Sequence, residues 1–599
     1  MKKILLSIAF ALVGIASGFA AKAYSGIITV TQSDGTELNV RMYGDEHFNW
    51  LTTEDGVLLV QEGNNYYIAE TTSYGTLKAT KFIAHNANKR VPAEIKAIKK
   101  QDLSRFRSYA IQKASPAKAM GTGNNGVKYF PHSGSPKALV ILVEFSDTTF
   151  RSGEKAKNVF EHFLKGKAED ALPDGYEAYT GSYKNKNLLR NKGSVSDYFY
   201  DMSKGTYTPQ FDVVGPYKLN HSSLYYGQGK KDNTYALVSD ACKAADKDVD
   251  FSRYDADGDG MVDLVYIIYA GYPASMSGNP NDIWPKSGPG DGSFGTYDGK
   301  QVCRYGVHAE LNFGWALNKK NGFLLSGIGL FCHEFSHTLG LPDLYPTVDA
   351  SKVDNQNPEM WDLMDGGEYT YNGGYCPTPY SPWELDVMGW TSPVELGDKA
   401  KQVTLNSYYK ERTAYKINGE NDEYLLIQNI QKGGWWNGIA NGYNTGMLIW
   451  RIDYGTKDVN LFDNPNNTLG KPKVMIVPAD GYVISDYNHG DGKQWTDAEY
   501  KASLQADPFP GTKNKTELLS VKLNKSILKK PFYNIKETDG VITFDYLKDF
   551  ATGIDSPVIQ QNQEKDTRIF TLDGRYLGTD VSQLTKGVYI IGKKKVIIK

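Results

Sequence analysis

The 599-residue sequence has no surplus of charge of either sign, because 67 lysines and arginines stand against 69 aspartates and glutamates. This balance argues against a nucleic-acid-binding protein, which needs a basic surface for phosphates. After the N-terminus, no segment holds the run of about 18 apolar residues that a transmembrane helix needs, so we expect no such helix in the mature chain. With 40% apolar residues, the chain can fill the cores of several domains, roughly two to four.

Cysteine is scarce, and the four residues are Cys242, Cys303, Cys332 and Cys376. In an exported protein they could pair, and the sequence does not choose among the three possible connectivities. Cys332 adjoins a candidate metal ligand, but one step along a helix turns its side chain about 100° away from the ligand face. We therefore expect a buried thiol or a disulfide at this position.

The N-terminus has the pattern of a secretory signal peptide, predicted for residues 1–23. Two lysines precede the apolar run Ile4–Ala16, and small residues follow it. This order predicts cleavage after Ala20 or Ala23. The apolar run is short for a membrane span, and no cysteine near the cleavage site suggests a lipid anchor. We expect an exported protein.

The strongest signal for function is a pair of histidines. His333 and His337 are four residues apart, so on a helix they project from one face and can bind one metal ion. Glu334 follows the first histidine, where its carboxylate can take a proton from an attacking water. Gly340 allows the helix to end in a left-handed turn, after which Asp343 can supply a third ligand. The pattern predicts zinc on His333, His337 and Asp343, with Glu334 as the general base.

Glu359 is a rival for the third ligand, as in the second helix of thermolysin-type enzymes. That arrangement needs a long helix through Glu359, but Pro358 and the pair Gly366–Gly367 leave little room for one. In the other interpretation, Met364 is the methionine of a tight turn beneath the zinc, as in metzincins. We therefore favour Asp343 as the ligand.

A second acidic pattern resembles the first part of a calcium-binding loop, in which carboxylates alternate along the chain. Its candidate ligands are Asp255, Asp257, Asp259, Met261 and Asp263. The chelating glutamate that such loops carry at the twelfth position is absent, since Tyr266 stands there. The other interpretation is a turn rich in aspartate and glycine. Because close carboxylates repel one another without a cation, we favour a structural calcium site.

The pattern of apolar residues predicts the order of the elements. Short strand patterns between Tyr24 and Ala84 indicate a β-rich module, and a basic, weakly patterned stretch from Lys89 to Lys118 follows it. A module joined to the rest by a basic, flexible segment suggests a pro-region removed by cleavage, and a plain linker to a binding module is the alternative. Further elements are predicted as strands at 137–147 and 264–270, and as helices from the cap Ser194, at 235–247 and at 323–339.

Several segments resemble the immune-inhibitor-A family of secreted bacterial metallopeptidases. They are Val140–Asp147, Asp282–Pro285, His333–Tyr345, Trp361–Gly366, Ser381–Trp390, Glu423–Asn429, Gly446–Asp453 and Asp507–Gly511. The resemblance covers roughly residues 25–548. It implies a zinc endopeptidase of the metzincin type that is made with a pro-region and acts outside the cell.

The sequence departs from this family at three positions. Lys286 and Arg451 stand where the family often has histidine, and Gln428 stands near an expected acidic residue. None belongs to the zinc set, so the departures concern the substrate rather than the chemistry. Tyr369 lies near the methionine turn, but the Met-x-Tyr spacing of some metzincins is missing, so the residue that stabilises the oxyanion is left open.

The last residues resemble the type A sorting domain of the type IX secretion system of the Bacteroidetes. Strand patterns in residues 567–599 predict a small sandwich after a polar linker, residues 550–566. This resemblance implies export across the outer membrane by the secretion machinery. A small carbohydrate-binding or adhesive module is the other interpretation.

Together these patterns predict an α+β protein with a metzincin-like zinc peptidase domain. The predicted parts are a signal peptide (1–23), a β-rich pro-region with its basic linker (24–126), the catalytic domain (127–394), a β-rich domain packed on it (395–549), the linker (550–566) and the small sandwich (567–599). The expected activity is hydrolysis of extracellular proteins or peptides. The alternative is a surface adhesin or binding protein with a vestigial or structural zinc site, which the presence of a general base disfavours.

Overall fold

The computed structural model describes residues 19–45, 48–114, 129–179, 190–227, 233–279, 281–290, 292–313, 322–347, 358–454, 465–482, 496–551, 569–571, 576–581, 584–591 and 594–598. Most of the predicted signal peptide, the glycine-rich end of the predicted pro-region and most of the predicted linker lie outside these ranges. The chain divides into two compact units, Met1–Asp549 and Phe550–Lys599. Within the described ranges, no helix has the length and apolar character required to cross a membrane.

The N-terminal region is built on a β-meander. Its strands are β1 (Phe19–Ala20), β2 (Ile28–Thr31), β3 (Glu37–Gly44), β4 (Asn49–Thr53), β5 (Leu58–Glu62), β6 (Asn65–Thr71) and β7 (Leu77–Ile83). Strands β2 to β7 pair antiparallel in chain order, whereas β1 joins a different sheet. The short strand patterns of this region therefore predicted its secondary structure correctly.

Two helices follow, α1 (Pro92–Ile98) and α2 (Leu103–Ala114), where we expected a weakly patterned connection. Helix α2 buries Phe106, whose ring meets Trp50 of β4 edge to face at 5.9 Å between centroids. An aromatic contact of this kind with a distant strand favours the helix, and a local sequence pattern does not reveal it. Residues 89–114 of the basic stretch are thus part of a folded region.

The central sheet contains the predicted buried strands. The strands of this region are β8 (Lys137–Glu144), β9 (Gln210–Lys218), β10 (Met261–Val262), β11 (Val265–Tyr269), β12 (Lys286–Pro289), β13 (Thr296–Tyr297), β14 (Lys300–Val302) and β15 (Arg304–Ala309). The sheet has the order β1-β12-β15-β11-β8-β9. Its four strands β15, β11, β8 and β9 run parallel, and β12 runs antiparallel to β15. Apolar clusters cover both faces, which accounts for the continuous apolar run of β8.

Helices lie between and after these strands. They are α3 (Ala156–Lys165), α4 (Val195–Met202), α5 (Ser223–Tyr226), α6 (Thr234–Ala245), α7 (Ala274–Ser277), α8 (Ile328–Thr338) and α9 (Pro382–Val387). Ser194 caps α4 as predicted, because its hydroxyl accepts a hydrogen bond from the backbone of Asp197. Helix α8 lies on the sheet through Phe331 and Phe335, which contact the rings of Phe211 and Tyr266. These contacts fix the helix that carries the histidine pair.

Helix α8 begins five residues later than the predicted start at Phe323, since it begins at Ile328 after Gly327. The preceding residues are extended: Leu325 forms a bridge with Leu311, and the amide of Ser326 donates to the carbonyl of Glu310. Pairing with the chain that follows β15 therefore replaces the first predicted turn of the helix.

The residues after 394 form a β-rich region. Its strands are β16 (Val394–Glu395), β17 (Lys401–Leu405), β18 (Tyr415–Asn418), β19 (Glu423–Ile430), β20 (Gly446–Asp453), β21 (Val474–Ile476), β22 (Val521–Lys522), β23 (Ile527–Leu528), β24 (Phe532–Thr538) and β25 (Val541–Tyr546). Its helices are α10 (Tyr408–Glu411), α11 (Asn437–Tyr443) and α12 (Asp497–Gln505). One apolar cluster contains both Trp450 of β20 and Phe331 of α8. The β-rich region thus belongs to the same apolar cluster as the helix that carries the histidine pair.

The second compact unit contains β26 (Ile569–Thr571), β27 (Tyr576–Gly578), β28 (Gly587–Ile591) and β29 (Lys594–Ile598). These strands form a single antiparallel sheet in the order β27-β26-β28-β29. The described residues of this unit contain no second layer, so the two-layered sandwich stays a prediction.

The cysteines form no disulfide. All four are buried free thiols, and Cys332 lies in the apolar cluster beneath α8. Burial raises the pKa of the Cys332 thiol well above its usual value, so it stays protonated. Of the two outcomes expected for Cys332, the structure shows the buried thiol.

Candidate metal centre

Helix α8 and the turn after it bring three candidate ligands together. His333 and His337 lie one turn apart, and Gly340 adopts a φ of 103°, which allows the chain to reverse and deliver Asp343. The two Nε2 atoms lie 3.2 Å apart. Each of them is also 3.2 Å from Oδ1 of Asp343. The three ligand atoms thus form a nearly equilateral triangle.

Backbone carbonyls set the orientation of both imidazole rings. Nδ1 of His333 donates to the carbonyl of Leu363 at 2.9 Å, and Nδ1 of His337 donates to that of Leu341 at 2.8 Å. In the neutral form that binds a metal, Nδ1 carries the hydrogen of each ring and Nε2 has its lone pair toward Asp343. Metal-binding histidines commonly donate such a hydrogen bond from the ring nitrogen that does not bind the metal.

The triangle fits a small divalent ion. Zinc binds nitrogen and oxygen ligands at about 2.0–2.1 Å, and a tetrahedron with such bonds has edges of about 3.3 Å. The observed separations of 3.2 Å agree with this value. Two imidazoles and one carboxylate also form a ligand set that zinc commonly takes. The residues present therefore fit zinc.

The site concentrates negative charge in a buried place. Burial lowers the pKa of His333, but the carboxylates of Glu368 and Asp343 outweigh this effect and raise it to about 10. Burial raises the pKa of Asp343, but the two imidazoles outweigh this effect and lower it to about 2. The Glu368 carboxylate lies 3.9 Å from Nδ1 of His333 and is fully buried. A bound cation would compensate these carboxylates.

Met364 lies in the turn that faces the histidines. Its side chain is fully buried, its neighbour Leu363 provides the carbonyl for His333, and its own carbonyl accepts from Leu344. The backbone of this turn thus binds both the first histidine and the segment just after Asp343. The role of Met364 as the methionine beneath a metal stays a prediction.

Glu334 is also buried, and its carboxylate meets a backbone amide of the N-terminal segment. The amide nitrogen of Ala21 donates to Oε1 of Glu334 at 2.7 Å. A carboxylate at this distance from an amide nitrogen can exchange a proton with an amine at the same place. The geometry therefore places a peptide backbone directly at the candidate general base.

The segment Phe19–Tyr24 crosses the site as an added strand. Strand β1 pairs antiparallel with the edge strand β12, matching Ala20 with Lys286. The indole of Trp284 donates to the carbonyl of Ala21 at 2.8 Å, and the hydroxyl of Tyr369 donates to that of Lys22 at 2.6 Å. The segment is held along its backbone, as an extended peptide is held at a sheet edge.

Sequence reasoning missed the roles of Trp284, Tyr369 and Asp365. Trp284 and Asp365 lie in segments that carry the family resemblance, but a single sequence does not show what their side chains contact. Asp365 accepts a hydrogen bond from the ammonium group of Lys22 at 2.8 Å. The family resemblance of these segments could have drawn attention to Trp284 and Asp365. Only the fold shows that all three residues contact the N-terminal segment.

Glu359, the rival ligand, does not join the triangle. It lies in a single 3-10 turn, Glu359–Trp361, rather than in a long helix. Its carboxylate accepts from the hydroxyl of Tyr500 at 2.8 Å and lies 3.6 Å from the ammonium group of Lys22. The structure brings Asp343, and not Glu359, to the two histidines.

The second acidic pattern forms a compact loop. Oxygens of Asp255, Asp257 and Asp259 lie within 4.8 Å of one another. The ammonium group of Lys300 donates to Asp255 at 2.6 Å. Burial raises the pKa of Asp263 to about 6, and its carboxylate accepts from a backbone amide of the loop. The predicted acidic residues therefore gather in one loop, with a lysine beside them.

The departures from the family have structural roles of their own. Lys286 is part of the edge strand β12. The guanidinium group of Arg451 donates to the carbonyls of Lys522 and Pro472 and to the side chain of Asn524. These contacts lie within the β-rich region and leave the ligand triangle unchanged.

The geometry defines a three-ligand metal centre with one adjoining carboxylate, set beneath the edge strand of a mainly parallel sheet. Residues 128–390 match the family described as the immune inhibitor A peptidase M6 catalytic domain. This match includes the histidine pair, Asp343 and the methionine turn. It is narrower than the range of roughly 25–548 over which we expected a resemblance.

Curated relatives, including the following two, are similar over part of the chain. The chain is 26% identical over 308 residues to immune inhibitor A of Bacillus thuringiensis subsp. alesti, covering 43% of this chain and 41% of that protein. It is 23% identical over 286 residues to the pre-pro-metalloprotease PrtV of Vibrio cholerae, covering 42% of this chain and 29% of that protein. The chain thus matches less than half the length of either relative.

The choice of third ligand is testable by metal content. Asp343→Ala should lower zinc affinity by more than the roughly 10- to 100-fold that changes around a ligand cause, because it removes a ligand itself. Glu359→Gln should retain zinc, since its carboxylate lies outside the triangle. Zinc in the purified proteins is measured by a competing fluorescent chelator, with circular dichroism as the control for folding. If Asp343→Ala retained zinc and Glu359→Gln lost it, Glu359 would be the ligand.

Proposed function

We propose that the chain is a secreted zinc endopeptidase of metzincin type that hydrolyses extracellular proteins or peptides. The observation that carries this proposal is the ligand triangle of His333, His337 and Asp343, with Glu334 beside it and a peptide backbone lying across it. The match to a peptidase catalytic domain supports the same class of reaction.

Glu334, Trp284 and Tyr369 have different roles in the proposed hydrolysis. When bound, zinc supplies a Lewis acid that polarises the scissile carbonyl and lowers the pKa of water. Glu334 takes the proton from the attacking water and passes it to the leaving amine, which lies where the Ala21 nitrogen now meets its carboxylate. Trp284 and Tyr369 hold the backbone of the substrate by donating to its carbonyls, as they do to the N-terminal segment.

Replacing the general base separates catalysis from metal binding. Glu334→Ala should retain zinc and the fold but lower casein hydrolysis at least about a hundredfold, because proton transfer by a positioned base contributes that much. The matched control is Glu154→Ala, which removes an exposed carboxylate. A zinc chelator should abolish the wild-type activity, and added zinc should restore it. Full activity of Glu334→Ala would remove this residue from the mechanism.

We also propose that residues 24–126, together with the few residues before them, keep the enzyme inactive until they are cleaved off. The support is the segment across the site, in which Ala21 is fully buried and bound to Glu334. Signal cleavage after Ala20 would leave this contact in place, whereas cleavage after Ala23 would remove it. The first site is therefore the one compatible with latency.

Latency is measured on the exported protein before and after processing. The unprocessed chain should begin at Ala21 and hydrolyse a small peptide at least about a hundredfold more slowly than the processed chain, because its own backbone occupies the place of the substrate. N-terminal sequencing identifies both forms. Equal activity of the two forms, or an N-terminus at Tyr24, would contradict this mechanism of latency.

We further propose that Asp255, Asp257, Asp259, the carbonyl of Met261 and Asp263 hold a structural calcium ion. The closeness of their carboxylates supports the proposal. Lys300, which now binds Asp255, would have to turn away for the ion to take that carboxylate as a ligand. The site lies just before β11 and would stiffen the entry to the central sheet.

Millimolar calcium should raise the unfolding temperature by about 2–4 °C, because an ion that binds only the folded state stabilises it. Asp257→Ala should lose this increase. Asp246→Ala, which removes an exposed carboxylate outside the loop, should keep it. Differential scanning calorimetry measures both variants, and an increase that survives Asp257→Ala would place any calcium elsewhere.

The two ends of the chain support export. We infer that the N-terminal signal, ending at Ala20, directs secretion, and that residues 567–599 are a type A sorting domain read by the type IX secretion machinery. The sheet of the C-terminal unit is compatible with such a domain. The processed product would act outside the cell or on its surface.

A further inference from the structure

The N-terminal segment buries a lysine beside the metal centre. Lys22 is only 2% exposed, and its ammonium group lies 2.8 Å from Oδ1 of Asp365 and 3.6 Å from Oε2 of Glu359. The ring of Tyr345, two residues after the ligand Asp343, lies 6.0 Å away. A buried ammonium group is costly unless carboxylates compensate it, and Asp365 and Glu359 provide this compensation for Lys22.

The pocket around Lys22 is preorganised. Oδ1 of Asp365 accepts from the amide of Gly366 at 2.7 Å, and Oδ2 accepts from the amide of Glu359 at 2.8 Å. Glu359 takes a positive φ of 53°, which a residue with a side chain rarely adopts without a compensating interaction. The hydroxyl of Tyr500 donates to Oε2 of Glu359 at 2.8 Å. Both carboxylates are therefore aimed by the fold, and none of these partners belongs to the predicted pro-region.

The segment lies in the register of a cleaved peptide. The Ala21 nitrogen meets Glu334, the group that must deliver a proton to the leaving amine. Strand β1 lies along the edge strand β12 on the amino-terminal side of that nitrogen. In this register the bond between Ala20 and Ala21 takes the place of the bond to be cleaved. Lys22 is then the second residue on its carboxyl side.

We propose that Asp365 and Glu359 form a specificity pocket for a basic side chain, lysine above all, at the second residue after the cleaved bond. This inference rests on the proposed peptidase function and deepens it. Removal of the N-terminal segment takes away the ammonium group of Lys22 and leaves both carboxylates in the wall of the cleft. A substrate that follows the same path places its own side chain between them.

The test is a series of quenched fluorescent peptides that differ only at this second residue, which is Lys, Arg, Met or Glu. The processed protein should cleave the Lys peptide with a kcat/KM at least about tenfold above that of the Met peptide, because its ammonium group forms ion pairs with two buried carboxylates, and the Glu peptide most slowly, because like charges repel. Asp365→Asn and Glu359→Gln should each lower the ratio of Lys to Met. Asp246→Asn is the matched control and should keep it, since this exposed carboxylate follows α6, which packs on the face of the central sheet opposite to α8.

Asp365 also accepts hydrogen bonds from backbone amides, so Asp365→Asn can fail to fold. In that case, Glu359→Gln and the wild-type peptide series decide about the pocket. Equal rates for Lys and Met, or a ratio unchanged in every folded pocket variant, would overturn the proposal. If no peptide is cleaved, the proposed function fails, and binding of the same peptides to processed Glu334→Ala, measured by fluorescence anisotropy, decides about the pocket. At least about tenfold tighter binding of the Lys peptide than of the Met peptide would support it, and equal binding would overturn it.

Discussion

Compensation of buried charge is the constraint on which the centre of this structure depends. Five carboxylates, those of Glu334, Asp343, Glu359, Asp365 and Glu368, are buried around the end of helix α8. A dry interior does not tolerate such a group of anions unless cations or hydrogen-bond donors meet each of them. Two imidazoles, the ammonium group of Lys22, the hydroxyl of Tyr500 and several backbone amides fill this role for four of them, whereas burial raises the pKa of Glu368 to about 8. A metal ion, a pro-region and a basic substrate would all act on the same charge balance.

The edge of the central sheet connects this charge balance to peptide binding. An edge strand offers unpaired backbone groups, and β12 offers them beside helix α8, where the hydroxyl of Ser287 donates to the carbonyl of Glu334. The N-terminal segment satisfies them by adding a strand, and the same hydrogen bonds are open to any extended peptide. Because the backbone contacts are independent of sequence, selectivity of the proposed peptidase would come from side-chain pockets such as the one that holds Lys22.

Much of the fold and of the centre was predictable from local patterns. The apolar run of β8, the cap at Ser194 and the histidine spacing on α8 each follow from a short stretch of sequence. The start of α8 was wrong by five residues, because residues 323–327 pair with the chain after β15 instead of joining the helix. Helices α1 and α2 were missed because they form against a distant sheet. The meeting of residues 19–24 with the centre joins positions more than 300 apart, which no local pattern encodes.

The sequence by itself determined the chemistry of the centre: the two histidines, the adjoining glutamate and the glycine that lets the chain turn back toward Asp343. These are properties of neighbours along the chain, since the period of a helix and the freedom of a glycine are local. Only the tertiary structure decided that Asp343 rather than Glu359 completes the triangle. It also decided that Glu359 and Asp365 face a lysine. Such assignments depend on which distant segments share a buried space, and that is settled by packing.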